Sequence, residues 1–541
     1  MQPDHDTASL CTGASRFQWI AQTVAFILFV YLFITATYPL TPAFPYGLYQ
    51  KLDPLIALAA GIGAQRWLGI ALATVIVTIL AGRIFCSYLC PLGFLIDLSD
   101  VKLAKRGRPL TQHAEVQHEE GNVSHVGRQR GSKDNLRVIK YWVLGAAVAG
   151  IALGNASFLI LDPLSFITRV LTVVFYPIWI CVANLVLGVI RPLAEHLGWF
   201  KVATISFAQP AFQTALSNLV LLVILLLLGL VSRRFWCRYL CPLGALLGIF
   251  SRISILKRRV NERCVECGKC SRICPMGAVG QDPRDTAFSE CVNCEACLRV
   301  CPTDAIDFYP RQPIISARGN AVGISRRALL GGAGVGVCAA VLTRLDPGVM
   351  KASSRLIRPP GAIPESDFLA ACVRCGLCVR SCITHTLQPA GMERGIVHWG
   401  TPIHVMRFAG CEQQCNICGG ICPTGALRNL TLIERQHAKV GTAVLYQARC
   451  VAWRQDQLCL LCDEACPYNA IVFRVVQGHK RPFVDESKCN GCGICESVCP
   501  VEGEAAIMVH QDGEVRIREG SYKEILRERR IVLTPRTDSL E

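Results

Sequence analysis

The residues that could do chemistry here are cysteines, and the chain of 541 residues has 31 of them. The stretch CVECGKCSRICP supplies Cys264, Cys267, Cys270 and Cys274, and CVNCEACLRVCP supplies Cys291, Cys294, Cys297 and Cys301. Each follows C-x2-C-x2-C-x3-C-P. On a tight loop, three such thiolates cap three irons of a [4Fe–4S] cube. The fourth starts a helix that points away and reaches a second cube. The expected ligand sets are Cys264, Cys267, Cys270 with Cys301, and Cys291, Cys294, Cys297 with Cys274. A structural zinc site would take four ligands, often as two separated pairs, which this run is not.

A second block begins at residue 372. It holds Cys372, Cys375, Cys378 and Cys382 (with Ile383 where proline is usual), then Cys411, Cys415, Cys418 and Cys422. Cys450, Cys459, Cys462 and Cys466 follow, and Cys489, Cys492, Cys495 and Cys499 close the block. Sixteen cysteines make four more cubes, six [4Fe–4S] clusters in all. Exchange of fourth ligands suggests a nested pairing. The outer groups would swap: Cys372, Cys375, Cys378 with Cys499, and Cys489, Cys492, Cys495 with Cys382. The inner groups would do likewise: Cys411, Cys415, Cys418 with Cys466, and Cys450, Cys459, Cys462 with Cys422. Such a row of cubes is a wire, its potentials tuned by hydrogen bonds and burial.

A third constellation is a repeat. RIFCSYLCPLG (83–93) returns as RFWCRYLCPLG (234–244), each after an apolar run. Cys86, Cys90, Cys237 and Cys241 could converge and hold a further cluster or a metal. They could also be a redox-active dithiol pair or merely structural. Pro91 and Pro242 fit a bend that ends each helix. Cys11, Cys181 and Cys338 fit no set.

These groups need elements to position them. Five apolar runs, roughly 18–38, 67–82, 138–155, 166–190 and 212–232, precede the first block. Each approaches or reaches the ~17–25 residues of a spanning helix. Two repeats organise them: helix, LDPL (Asp53 in one copy, Asp162 in the other), helix, cysteine motif. The second copy carries about 42 extra residues, which contain the fourth apolar run. With both cysteine motifs on one side, that run is a re-entrant pair or an interfacial helix; five true crossings would put the motifs on opposite faces. The expected fold is an α-helical membrane core of four spanning helices plus this insert (1–250), joined to α+β ferredoxin-like domains at 251–318 and 350–515. A charged surface helix and tail would occupy 516–541. The formal net charge of +16 gathers in the polar loop 101–137 and around Arg233, Arg234, Arg238, Arg252, Lys257, Arg258, Arg259 and Arg263. That distribution favours a cytoplasmic membrane face over a nucleic-acid partner. No apolar run contains a histidine and no C-x2-C-H occurs, so no haem is expected.

Between the blocks, Ser325-Arg326-Arg327 precedes an uncharged, glycine-rich run, 328–343. Segment 319–349 resembles a twin-arginine export signal, the route for folded, cofactor-loaded domains; the alternative is a basic anchor before a short helix. Export would place 350–541 in the periplasm and leave 251–318 in the cytoplasm, with the chain multi-pass in the inner membrane.

The two R-x-(F/W)-C-x-Y-L-C-P-L-G motifs and the eight-cysteine run make residues about 16–310 resemble the membrane ferredoxin family NapH of periplasmic nitrate reduction. The twin arginine, RLIRPPGAIPESDFLAACVRCGLC (355–378) and four cysteine groups make residues about 325–510 resemble the NapG family. The whole looks like a NapH–NapG fusion, and the methylamine-utilisation ferredoxins MauN and MauM are similar. The insert and the internal export signal depart from the pattern. The resemblance implies a quinol dehydrogenase module that passes electrons from the quinol pool to a periplasmic cytochrome or molybdenum reductase such as a nitrate reductase. Other readings are a redox maturation factor for a metalloenzyme, or outward transfer from a cytoplasmic ferredoxin. Quinol oxidation needs a proton acceptor; Asp53 and Asp162 are candidates, or each simply caps the next helix.

Overall fold

Helix length, rather than the length of an apolar run, decides what can cross a bilayer, and the two differ here. The computed structural model describes residues 16–37, 46–61, 68–104, 135–280, 282–310, 326–345 and 356–536. Among them, two helices are long and apolar enough to cross a membrane, Arg16–Thr35 and Pro163–His196. This corrects the expected four-helix spanning core. The runs at 67–82, 138–155 and 212–232 give helices Leu68–Ala81, Ile139–Ala152 and Ala215–Leu228, of 14 residues each. At 1.5 Å per residue each is ~21 Å long, short of ~30 Å of hydrocarbon. Residues of these runs beyond the helix ends go instead into turns and, at Val138, into the 3-10 helix Asn135–Val138. The fourth apolar run, expected to be re-entrant or interfacial, lies inside the longest helical stretch among the described residues, which runs for 34 residues through a π turn at Leu171–Phe175.

Cys11, Ser325 and most of the basic loop (105–134) lie outside the described residues. The segment after Arg326 is a helix, Arg326–Leu345. It packs along Ile139–Ala152.

Four antiparallel strand pairs frame the cysteine loops. Leu256–Val260 pairs with Ile306–Pro310 and brackets the first block. In the second block Leu387–Pro389 pairs with Pro402–His404, Thr442–Leu445 with Ile507–His510, and Ile471–Val476 with His479–Val484. One apolar core runs continuously from the helices (Leu55, Ile56, Leu159, Leu164, Ile167) into the second block (Phe368, Leu369, Val373, Leu377). Residues from about 430 onward form a separate core. The helix Tyr522–Glu528, expected on the surface, buries Tyr522 and Leu526 in that core, and Tyr522 N donates to Glu434 Oε2 at 2.9 Å.

The basic cluster also has another job. Arg234 is buried and donates to Asp97 Oδ1 at 2.6 Å. Arg258 is buried and bonds Pro283 O and Thr286 Oγ1 at 2.7 and 2.8 Å. These cations hold elements together.

His404, at the end of its strand, is buried with neither ring nitrogen hydrogen-bonded. Burial, with the Arg435 charge second, pulls its imidazole down to about 3 from 6.5. The folded state therefore holds His404 neutral, while the unfolded chain gains a proton below pH 6.5. Stability from this group is flat above 6.5 and falls as pH drops toward 3, by up to ~1.4 kcal/mol per unit. His404→Leu is expected to flatten the pH dependence of Tm between 6.5 and 4. An unchanged slope would overturn the assignment.

Candidate metal centres

The cysteine loops share one backbone solution. In C-x2-C-x2-C, the residues two and four places after the first cysteine take left-handed φ: Glu266 and Gly268, Asn293 and Glu295, Arg374 and Gly376, Gly491 and Gly493. Several are not glycine, in a region that costs most residues ~1–2 kcal/mol. The loop wraps a centre tightly enough to justify that cost. The two groups with longer spacings, Cys411/Cys415/Cys418 and Cys450/Cys459/Cys462, lack the pattern; of their loop residues only Asp456 has positive φ among those described.

The structure brings these thiols together in sets. Cys264, Cys267, Cys270 and Cys301 line one cavity. Cys274 lies close enough to Cys291, Cys294 and Cys297 to act on each thiol. In the second block the nested pairing is not what forms. Cys422, not Cys499, sits by Cys372, Cys375 and Cys378. Cys382, not Cys466, is the partner of Cys411, Cys415 and Cys418. Cys466 joins Cys489, Cys492 and Cys495 around one cavity, and Cys499 joins Cys450 and Cys459, with Cys462 alongside. The reason is local. The pair Leu387–Pro389/Pro402–His404 turns the chain back between Cys382 and Cys411, and Ile471–Val476/His479–Val484 does so between Cys466 and Cys489. Neighbouring groups in the chain therefore swap.

The chemistry of each set suits anionic sulfur. Amides donate to Cys274, Cys301, Cys489, Cys466 and Cys499 at 3.2–3.4 Å. Arg435, a residue the sequence did not single out, donates to Cys411 Sγ at 2.9 Å. Burial pushes the Cys375 and Cys294 thiols up to about 12 and Cys415 to about 11. Thiols crowded in a dry place resist losing protons to water; iron coordination replaces the proton and removes that cost.

Cys86, Cys90, Cys237 and Cys241 converge. Cys90 is acted on by Cys86 and Cys237, and Cys241 by the other three. Gly244 N donates to Cys241 Sγ at 3.1 Å, and the Gly93 and Leu92 amides bond Cys90. Arg83 is fully buried; its Nη1 donates to Ser289 O at 2.8 Å, and its Nε and Nη2 have no hydrogen-bond partner. A Cβ on Gly244 would lie 2.8 Å from that Nη2 and 3.2 Å from Cys241 Sγ, so only glycine lets the guanidinium reach the thiols. Met276, Ala278 and Val292 fill the gap between Cys86 and Cys237 on one side and Cys274, Cys291 and Cys294 on the other.

The helical core thus has a block at each end. The first block is tied on by Ser87 Oγ to Val292 O (2.9 Å), Asn293 Nδ2 to Ala81 O (2.7 Å) and a buried Lys140–Glu290 ion pair at 2.5 Å. The second is tied to the other end by Arg169 Nη1 to Arg374 O (3.1 Å), Arg374 Nη2 to Ser157 Oγ (2.8 Å) and Ser381 Oγ to Ala36 O (2.9 Å).

Comparison with known proteins agrees with this chemistry. A 4Fe-4S binding domain family matches residues 64–109 and 214–261, the segments with the Cys-x3-Cys-Pro motifs. A 4Fe-4S dicluster domain family matches 263–305 and 457–502. The methylamine utilization ferredoxin-type protein MauM of Methylorubrum extorquens is 42% identical over 176 residues, 31% of this chain and 78% of the relative. The ferredoxin-type protein NapG of Escherichia coli is 40% identical over 29% of this chain and 71% of its own length. The ferredoxin-type protein NapF of the same organism is 30% identical, over 30% of this chain and 92% of its own. The chain belongs to the MauM and NapG family of ferredoxin-type iron–sulfur electron-transfer proteins.

Proposed function

We propose that this chain is a membrane-associated electron-transfer module that oxidises hydroquinone and delivers electrons through iron–sulfur cubes to a periplasmic acceptor, a cytochrome or a molybdenum reductase. One observation carries the reading: cysteine blocks stand at opposite ends of a helical core that contains a further four-thiol site. Exposed apolar residues along the helices, among them Phe17, Ile27, Leu72, Ile76, Trp179, Val189, Leu216 and Leu227, support contact with lipid. The twin arginine supports export of 350–541, with 251–318 left in the cytoplasm.

The ligands would be the four-thiol sets described above, six cubes in all, with Cys86, Cys90, Cys237 and Cys241 holding a seventh. Bound iron supplies one-electron chemistry, and the chain's own residues set its conditions. The Arg83 guanidinium offsets negative charge on the four-thiol centre, and amide donors stabilise sulfur in each loop. Met276, Ala278 and Val292 keep water out between that centre and its neighbour.

The test is anaerobic. Iron and sulfide are counted on the purified chain, a menaquinol analogue is added, and reduction is followed by EPR and visible bleaching. Rapid reduction, with iron above the ~24 of six cubes, is expected. Cys237→Ala should remove about four irons. Clusters that dithionite reduces and hydroquinone does not would sink the hydroquinone reading.

A further inference from the structure

Asp53 and Asp162 are the same residue in two repeats. Each stands before a proline and caps the helix that follows, a short one at Pro54–Ala60 and the long one that begins at Pro163. Asp53 Oδ1 accepts from Leu55 N at 2.7 Å; Asp162 Oδ2 accepts from Leu164 N and Ser165 N at 3.0 and 2.9 Å. Capping uses one oxygen of each carboxyl. Both residues are 0 % exposed. The two carboxyls lie close enough to act on one another, and the oxygens not used in capping, Asp53 Oδ2 and Asp162 Oδ1, are buried with no hydrogen-bond partner. Two carboxylate oxygens are acceptors only and can satisfy one another only through a proton held between them. Two bare anions in contact, sealed from water, would repel too strongly to persist, so one proton serves both.

Charged groups on the elements packed around the pair are otherwise engaged. Glu365 is held by Arg358 and, with Arg516, in a shared ion cluster; Asp367 is held by Arg518, and Lys140 by Glu290. Lys51 lies on the preceding short helix, half-buried. Arg169, on the helix that Asp162 caps, is a cation that acts on Asp162. It also acts on Cys375, and it donates to Arg374 O, Asn218 Oδ1 and Ile160 O rather than to either carboxyl. Its charge therefore stands between the carboxyls and the thiols of one candidate cube.

We propose that Asp53 and Asp162 form a proton-binding site that holds one shared proton at rest and takes up a second when the cube at Cys372, Cys375, Cys378 and Cys422 is reduced. This rests on the iron–sulfur reading above. One electron, from hydroquinone or another one-electron reductant, enters the cube; one proton, from the same donor or from water, completes the second carboxyl. The added negative charge weakens the field that Arg169 casts on the pair, so proton affinity rises with reduction. Electron and proton would then travel as one neutral unit into a region sealed from water.

The test uses the loaded full chain and Asp53→Asn, in which asparagine keeps the cap but cannot share the proton. Infrared spectra of the resting protein should show the carbonyl stretch of a buried protonated carboxyl, sensitive to D2O and lost in the variant. The midpoint potential of that cube should fall with pH, at the limit by ~59 mV per tenfold change in proton concentration. In Asp53→Asn it should be nearly flat, with the other cubes unmoved. A resting spectrum without the band, or a wild-type potential independent of pH, overturns the proposal. The resting band needs no reducible cube, so it separates failure of the shared proton from failure of the iron–sulfur reading. If the variant does not fold, the two wild-type measurements still decide.

Discussion

Glu290→Ala is expected to loosen the first cysteine block from the helices and to cost the protein ~3–5 kcal/mol, the penalty for stranding buried charge. Glu290, Lys140 and Arg83 are all fully buried. Lys140 Nζ contacts both carboxylate oxygens, at 2.6 and 2.5 Å, and Arg83 Nη1 lies 3.9 Å away. Burial pulls the Lys140 amine down to about 8. The same burial would raise Glu290, but Lys140 and Arg83 outweigh it and hold the carboxyl below its ordinary range. The pair is thus ionised at neutral pH, and removing the anion leaves two cations in a dry junction. Glu290→Gln, which keeps volume and an acceptor, should lose less. The double change Lys140→Met with Glu290→Leu should recover much of the loss, because the partners that remain are Arg83, which still bonds Ser289 O, and the neutral Tyr141 hydroxyl, whose bond to Glu290 is long at 3.5 Å. Denaturant unfolding gives the energies, and amide exchange over 253–310 localises them. A single variant as stable as the parent, with unchanged exchange, would mean the junction is held by something else.

What the sequence disclosed follows from which constraints are local. The C-x2-C-x2-C loops were readable because their spacing alone dictates a tight wrap, and the repeated left-handed positions at Glu266, Asn293 and Arg374 are its backbone expression. Each Asp-Pro was readable as a cap for the same reason. The approach of Asp53 to Asp162 was not, since it depends on two distant repeats facing each other. Run length misled at 67–82, 138–155 and 212–232: an apolar stretch records what is kept from water but not where the helix stops. Arg234 and Arg258 have a second role that the charge bias did not disclose. Basic residues beside apolar runs suggested a cytoplasmic membrane face but not that these two side chains would be buried ties. Lys140 had a signal that was not used, a lone amine within the apolar run 138–155 that had to find a carboxylate. Glu290, beside Cys291, is where it finds one.

The cysteine exchange yields the sharpest remaining contrast. Cys422→Ala is expected to abolish the cube at Cys372, Cys375 and Cys378, whereas Cys499→Ala should leave that cube intact and damage the one at Cys450, Cys459 and Cys462. A nested arrangement demands the reverse assignment for Cys499. The consequences should also differ in function, because the sets differ in place. Cys375 lies next to Arg374, whose carbonyl accepts from Arg169 and whose guanidinium reaches Ser157, so its cube is the one seated on the helical core. The Cys450 set packs with Ala452 and Ala506, on the far side of the second block. Losing the core-seated cube should therefore cut electron delivery from the helices to the whole second block, leaving its other cubes reducible by dithionite but not through the chain. Losing the distal cube should leave internal reduction intact and slow only the exit of electrons. EPR-monitored titration of each variant, with iron counted beforehand, separates the cases. Loss of the same signal from Cys422→Ala and Cys499→Ala would show that both thiols serve one cube, and exchange between chain neighbours would be wrong.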